Sequence, residues 1–137
     1  MFPGAAVSAA PATGASILVA EDEPEIRANL ERLLRLEGYR VSVVADGRAA
    51  LAALQAHTPD LLLTDAMMPE LDGETLLRML RAEARYRALP VLLLTARADT
   101  EDHARALQAG ASAVVTKPFQ RAVLLDCIRG LLAGGSA

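Results

Sequence analysis

The sequence predicts an α/β fold in which a parallel sheet is covered by helices on both faces. Short uncharged apolar runs recur along the chain, and each is followed by a segment with apolar residues at helical spacing. The runs are continuously apolar, as in strands that are buried on both faces. The alternation of strand and helix repeats about five times. It therefore requires parallel strands joined by right-handed helical crossovers.

Length and composition narrow the class of protein. A chain of 137 residues suits one domain that buries its own core, and a hydrophobic content of 53% excludes general disorder. A net charge of −3 gives no electrostatic basis for binding nucleic acid or a membrane surface. Cys127 is the single cysteine and cannot form an internal disulfide, which favours the cytoplasm. No apolar run approaches the roughly 18 residues of a membrane span.

The two ends of the chain differ in composition from the rest. Residues 1–15 carry no charge and are rich in Ala, Gly and Pro, so we expect a disordered tail or a linker. The same argument predicts a flexible C-terminal tail over 133–137. The ordered domain is therefore expected to span 16–132.

The first half of the domain contains two strand–helix units. Ser16–Ala20 is an apolar run, and Pro24 suits the first turn of the helix that follows. Gly38 is placed to end that helix, because it tolerates the left-handed conformation found there. A second strand is expected over 39–45 and a second helix over 48–56.

The second half continues the pattern, with Gly and Pro marking the connections. Its expected elements are, in order, a strand that ends at Asp65, a helix after Gly73, a strand over 91–95, a helix that ends at Ala109, a strand over 112–116 and a terminal helix from Phe119.

Polar residues stand where four of these strands end. They are Glu21 and Asp22, Asp65, Thr95 and Lys117. The carboxyl ends of parallel strands lie at one edge of a sheet, so we expect these side chains to converge. Three adjacent carboxylates repel one another unless a cation lies between them. Mg²⁺ prefers oxygen ligands and meets that need.

The remaining polar groups suit a phosphoryl group held beside the metal. Lys117 supplies a cation and Thr95 a hydrogen-bond donor, which together neutralise and align phosphoryl oxygens. The carboxylate of Asp65 is the nucleophile at the centre of the group. The expected chemistry is the formation of an aspartyl phosphate.

Four segments together resemble the receiver domain of bacterial response regulators. They are residues 17–24, 60–73, 94–96 and 116–119, and the resemblance extends over about 16–132. It implies a flavodoxin-like (βα)5 fold with strand order 2-1-3-4-5. It also implies a signalling module rather than an enzyme, one that catalyses only its own phosphorylation and dephosphorylation.

The resemblance also assigns roles to single residues. Asp65 would accept a phosphoryl group from the phosphohistidine of a histidine kinase or a histidine phosphotransfer protein, and the signal would pass by conformational change to an unknown output partner or domain. Asp22, Asp65 and the main-chain carbonyl of Met67 would ligate Mg²⁺, with Glu21 acting through a bound water. Thr95 and Lys117 would hold the phosphoryl oxygens.

Three positions depart from the pattern of the family or modulate it. Val114 stands where the family often has Tyr or Phe, so the aromatic part of the usual switch is missing. Met67 and Arg97 flank the path by which water attacks the phosphoryl group. A thioether and a long cation orient water poorly there, which predicts slow hydrolysis.

The Lys117–Pro118 bond is expected to be cis, as X–Pro bonds allow.

The two histidines, His57 and His103, carry no evident chemistry. Each is expected to have a solvated surface role, as is usual for single histidines without a partner.

Three other classes of protein fit these residues less well. A phosphatase of the haloacid dehalogenase type needs a second Asp two residues after the nucleophile, where this chain has Met67. A flavodoxin that binds FMN needs a phosphate loop after the first strand, and the anionic residues 21–23 would repel phosphate. A pseudo-receiver that binds a partner without phosphorylation stays open, although the complete polar set argues against it.

Overall fold

The structure, a computed structural model, describes residues 14–97 and 99–134. Within these residues, five strands alternate with five α-helices, and one 3₁₀-helix precedes the fourth strand. The elements are β1 (Ser16–Ala20), α1 (Pro24–Leu36), β2 (Arg40–Val44), α2 (Gly47–Ala56), β3 (Leu61–Asp65), α3 (Gly73–Arg81), the 3₁₀-helix (Ala84–Tyr86), β4 (Val91–Thr95), α4 (Thr100–Ala109), β5 (Ala113–Thr116) and α5 (Arg121–Leu132).

The five strands form one parallel sheet in the order β2-β1-β3-β4-β5. This confirms the predicted α/β class and the flavodoxin-like strand order. β1 and β3 lie at the centre, with Ala20 opposite Thr64. On the other side of β3, Asp65 lies opposite Leu94 of β4. Consecutive strands thus end at one edge of the sheet.

Short polar side chains determine where three of the helices begin. Asp46, Asp72 and Asp99 each precede a helix, and each accepts a hydrogen bond of 2.7–2.8 Å from a main-chain N–H two or three residues further on. Such caps satisfy donors that have no partner within the helix. Pro24 begins α1 as predicted. Gly110 closes α4 at φ 118°, a left-handed conformation that glycine adopts without strain.

The sheet separates two hydrophobic cores, because successive strand side chains point to opposite faces. One core lies under α1 and α5 and the other under α2, α3 and α4. The first is built around Ile17, Val19, Leu30, Leu34, Leu61, Leu63, Leu92, Leu94, Leu124 and Ile128, and the second around Leu18, Ala20, Leu54, Leu62, Leu76, Leu77, Leu80, Tyr86 and Leu93.

The described part of the chain includes the last two residues of the predicted N-terminal tail, Gly14 and Ala15. Most of the predicted tail, residues 1–13, and residues 135–137 lie outside the described part of the chain. Within the described part, Gly14 donates to the carbonyl of Gly38 at 2.9 Å, and Ala15 accepts from the N–H of Arg40. The 3₁₀-helix was not predicted. Among the described residues, no helix is long and apolar enough to cross a membrane.

Candidate functional site

The polar residues at the strand ends lie together, as the sequence predicts. Glu21 follows β1, Asp65 ends β3, Thr95 ends β4 and Lys117 follows β5. Thr95 lies opposite Thr116 in the sheet, which brings Lys117 to the same edge. Glu21, Asp65 and Thr95 are buried. Acidic side chains such as those of Glu21 and Asp65 are rarely buried in proteins unless they are paired with another group.

Lys117 neutralises two of the carboxylates. Its Nζ donates to Asp65 Oδ2 at 2.9 Å and lies 3.5 Å from Glu21 Oε1. Burial alone would lower the pKa of the ammonium, but the hydrogen bond to Asp65 and the charges of both acids outweigh it. The pKa of Lys117 is therefore raised, and the side chain keeps its charge at the site. The bond between Lys117 and Pro118 is cis, as expected.

Glu21 is the most deeply buried acid of the group. Its carboxylate accepts from the N–H of Glu23 at 3.1 Å, and its own carbonyl accepts from Arg27. Desolvation is the largest influence and raises the pKa of Glu21 to about 7. The N–H of Glu23 and the charge of Lys117 act in the opposite direction, whereas the charge of Asp65 raises the pKa further. Near neutral pH this carboxyl is thus poised between its charged and neutral forms.

Three carboxylates of the site fit a divalent cation. Glu21, Asp22 and Asp65 each offer an oxygen, and these oxygens all lie within 4.8 Å of one another. An all-oxygen set of this kind is what Mg²⁺ prefers, and it would offset the mutual repulsion of the acids. We call Glu21, Asp22 and Asp65 the carboxylate cluster. Met67 follows closely, and its N–H lies 3.3 Å from Asp65 Oδ1.

Met67 and Arg97, which are expected to flank the path of the attacking water, both have largely exposed side chains beside the site. The Met67 side chain is 67% exposed. The Arg97 guanidinium lies 3.4 Å from Asp102 Oδ2 on α4, and its side chain is 68% exposed. The main-chain N–H of Arg97 donates to Thr95 Oγ1 at 3.1 Å, so Arg97 also contacts the site through its backbone.

Val114 lies under α4, at the wall of a cleft of about 200 Å³ beside the site. The cleft runs between α3 and α4, and charged side chains form much of its rim. It is lined by Ala66, Met67, Asp72, Glu74, Leu93, Thr95, Arg97, Asp102, Arg105, Ala106 and Val114. The small side chain of Val114 therefore borders open space next to Thr95.

Gly73 was predicted only as part of a turn, and the structure shows a further reason for it. A Cβ at this position would overlap the main-chain oxygen of Asp65. The Gly73 N–H also donates to the carbonyl of Ala66 at 3.0 Å. The start of α3 thus lies directly against the main chain of Asp65, and only the absence of a side chain permits this contact.

His103 also differs from its expected surface role. Its ring is half-buried, and Nε2 lies 2.7 Å from the carbonyl oxygen of Arg97 and 3.4 Å from Thr116 Oγ1. The expectation of a histidine without partners is therefore wrong for His103, whereas His57 is exposed as predicted. The sequence offers no signal for these contacts beyond the position of His103 in the first turn and a half of α4.

The fold and the strand-end site are those of a receiver domain, and comparison with known proteins agrees. The family model for the response regulator receiver domain matches residues 17–129. The chain belongs to this family of signalling domains, which are not classical enzymes. Membership decides against the haloacid dehalogenase and flavodoxin alternatives.

Relatives of known sequence are response regulators of bacteria. The chain is 40% identical over 119 residues to response regulator Rre1 of Synechocystis, covering 86% of this chain and 52% of that protein. It is 42% identical over 116 residues to transcriptional regulatory protein CseB of Streptomyces avermitilis, covering 85% of this chain and 48% of that protein. The chain therefore spans about half the length of these relatives.

Solved structures show the same likeness. The receiver domain of a signal transduction histidine kinase from Syntrophus aciditrophicus superposes with a TM-score of 0.82 at 38% identity, over 88% of this chain and 92% of that one. The receiver domain of a sensor histidine kinase from Pseudomonas aeruginosa PAO1 gives 0.81 at 37% identity, over 88% and 99%. That second structure holds a magnesium ion in its active-site cleft.

Proposed function

We propose that this chain takes a phosphoryl group onto Asp65 from a phosphohistidine, with Mg²⁺ as cofactor, and transmits the event by a conformational change. The donor would be a histidine kinase or a histidine phosphotransfer protein. The observation that carries this proposal is the Lys117 ammonium, which lies 2.9 Å from the buried carboxylate of Asp65 and beside Glu21. The carboxylate that would act as the nucleophile, a cation and a neighbouring acid thus lie at one edge of the sheet.

The transfer uses one carboxylate oxygen of Asp65 as the nucleophile. It attacks phosphorus, the P–N bond to the donor imidazole breaks, and that nitrogen keeps the bonding electron pair. The product is an acyl phosphate on Asp65. Lys117 balances the negative charge on the phosphoryl oxygens, and the hydroxyl of Thr95 donates a hydrogen bond to one of them.

The metal would be held by the carboxylate cluster together with the main-chain carbonyl of Met67. Asp22 and Asp65 would be direct ligands, and Glu21 would act through a bound water. Mg²⁺ would supply charge neutralisation at the phosphoryl oxygens. The close grouping of three carboxylate oxygens supports this assignment.

Labelling of the protein by a small phosphodonor tests the proposal. The chain is incubated with acetyl phosphate and Mg²⁺, and the intact mass is measured. We expect the mass gain of one phosphoryl group in the wild type, none in Asp65→Asn, and none when EDTA replaces Mg²⁺. Asp126→Asn is the matched control, because Asp126 is exposed on α5 and pairs only with Arg129 within the described residues. Undiminished labelling of Asp65→Asn would refute the assignment.

The same experiment decides between this proposal and a pseudo-receiver. A pseudo-receiver would keep the fold and bind a partner, but the wild type would gain no mass under any of these conditions. The complete set of Asp22, Asp65, Thr95 and Lys117 at one edge supports phosphorylation instead.

The extent of the domain and its setting belong to the same proposal. We propose that the receiver domain spans 16–132 and acts in the cytoplasm, where histidine kinases carry their phosphohistidine. We assign this domain no contact with nucleic acid or with a membrane. Several relatives are named transcriptional regulatory proteins. The part of those proteins that this chain does not span would carry their transcriptional output.

A further inference from the structure

His103 lies between two segments that carry proposed phosphoryl-binding residues. Its Nε2 is 2.7 Å from the carbonyl oxygen of Arg97, which follows Thr95 by two residues. The same nitrogen is 3.4 Å from the hydroxyl of Thr116, which precedes Lys117. One imidazole of α4 thus contacts the chain beside both Thr95 and Lys117.

The chemistry of these contacts fixes the direction of the stronger hydrogen bond. A main-chain carbonyl only accepts, so Nε2 of His103 carries a hydrogen and donates to Arg97. The longer distance makes the Thr116 hydroxyl at most a weak second acceptor of the same N–H. Both the neutral Nε2–H tautomer and the imidazolium can supply this donor.

The peptide groups of Arg97 connect His103 to Thr95. The carbonyl of Arg97 accepts from His103, and the N–H of Arg97 donates to Thr95 Oγ1 at 3.1 Å. Because Oγ1 accepts from Arg97, its own hydrogen must point in another direction and is available to a further acceptor. Loss of the imidazole would remove the hydrogen bond from α4 to the Arg97 carbonyl. The exposed ion pair between the Arg97 guanidinium and Asp102 would still join the segment to α4. Because that ion pair does not hold the main chain of Arg97, the orientations open to Thr95 would widen.

We propose that His103 is a positioning residue for phosphoryl transfer, which holds the Arg97 backbone so that the Thr95 hydroxyl is oriented to donate to the phosphoryl group. This inference rests on the proposed function. Preorganised donors contribute because they need no rearrangement when charge develops. His103 does not itself contact the reacting atoms.

The kinetic test compares substitutions at the two histidines. With acetyl phosphate and Mg²⁺, His103→Leu should reduce the maximal phosphorylation rate about fivefold, the factor that corresponds to one ordinary hydrogen bond. His103→Gln should recover most of the rate, because its amide N–H can donate to the same carbonyl. His57→Leu, at an exposed position, should match the wild type. Equal losses in the Leu and Gln variants, or no loss in either, would overturn the proposal.

A spectroscopic test is independent of phosphorylation. At pH 8 and without phosphodonor or metal, a long-range ¹H–¹⁵N spectrum should show His103 as the Nε2–H tautomer, and the same tautomer should persist in the presence of EDTA. A dominant Nδ1–H form of His103 would refute the donor assignment even if Asp65 is labelled normally. If the wild type takes no phosphoryl group while the tautomer is as expected, the proposed function fails and the kinetic role of His103 fails with it. Thermal unfolding of each variant identifies any loss of rate that comes from misfolding.

Discussion

Replacing Glu21 with Gln should stabilise the metal-free protein above pH 7 and have little effect near pH 4.5. Glu21 is fully buried beside Asp65, and burial is the main reason that its pKa is raised to about 7. In the unfolded chain the carboxyl titrates at its model value of 4.5. Between these two values the folded state binds more protons than the unfolded state. The stabilising contribution is therefore complete below pH 4.5 and is lost as pH rises to 7.

The size of the effect follows from the difference between the two pKa values. Each pKa unit corresponds to about 1.4 kcal/mol, so the difference between 4.5 and about 7 amounts to about 3 kcal/mol at pH 8. This is an upper figure, because Gln still buries a polar amide where a neutral carboxyl was tolerated. Its amide oxygen can accept from the N–H of Glu23 as the carboxylate does.

Urea unfolding in EDTA at pH 4.5, 6 and 8 measures this difference in the free energy of unfolding. We expect the advantage of Glu21→Gln over the wild type to grow across that series. Glu25→Gln is the control, because Glu25 is an exposed acid in the first turn of α1. A gain of the same size at pH 4.5 and pH 8, or no gain at pH 8, would show that desolvation of Glu21 does not carry the effect.

Three further outcomes follow from other contacts. Met67→Asn and Arg97→Glu should each speed decay of the phosphorylated protein severalfold, because the new side chains can orient the attacking water; an unchanged decay time course would contradict this. Tyr86→Phe should cost about 1 kcal/mol in urea unfolding, since the Tyr86 hydroxyl donates to the carbonyl of Leu54 at 3.1 Å; a neutral change would mean that the Arg85 guanidinium, 3.3 Å from the same carbonyl, satisfies it. Arg81→Met should cost about 2 kcal/mol, because the Arg81 guanidinium donates to the carbonyl of Tyr86 at 2.7 Å and to the carbonyl of Gly110, at the end of α4, at 2.9 Å. Stability equal to the wild type would show that water satisfies those carbonyls equally well.

The sheet and the convergence of the site were predictable because local patterns determine both. The apolar run that ends in Asp65 is too uncharged for a surface segment, and its burial on both faces forces a central parallel strand. Once the strands are parallel, the residues after them must share an edge. Thr95 and Lys117 therefore needed no knowledge of distant contacts to be placed near Asp65.

Features that depend on contacts between distant segments were not predictable. Tyr86 is buried, and its hydroxyl donates to the carbonyl of Leu54 in α2. The two residues are 32 positions apart in the sequence, so no local periodicity of apolar residues predicts this contact. The contact of His103 with Thr116 likewise forms because α4 packs beside the end of β5. Such contacts follow from the packing of complete elements.

Because Gly73 contacts the main chain of Asp65, the site has less room for movement on the side of α3 than on the side of α4. On one side, α3 is joined to the main chain after Asp65 by the hydrogen bond to Ala66 and by a contact too close for any side chain. A shift of α3 would therefore disturb the main chain of Asp65. On the other side, the cleft between α3 and α4 lies next to Thr95 and leaves open space beside α4. If Asp65 is phosphorylated as proposed, we expect α4 to shift rather than α3, because the close contact at Gly73 leaves no room for α3 to move towards Asp65.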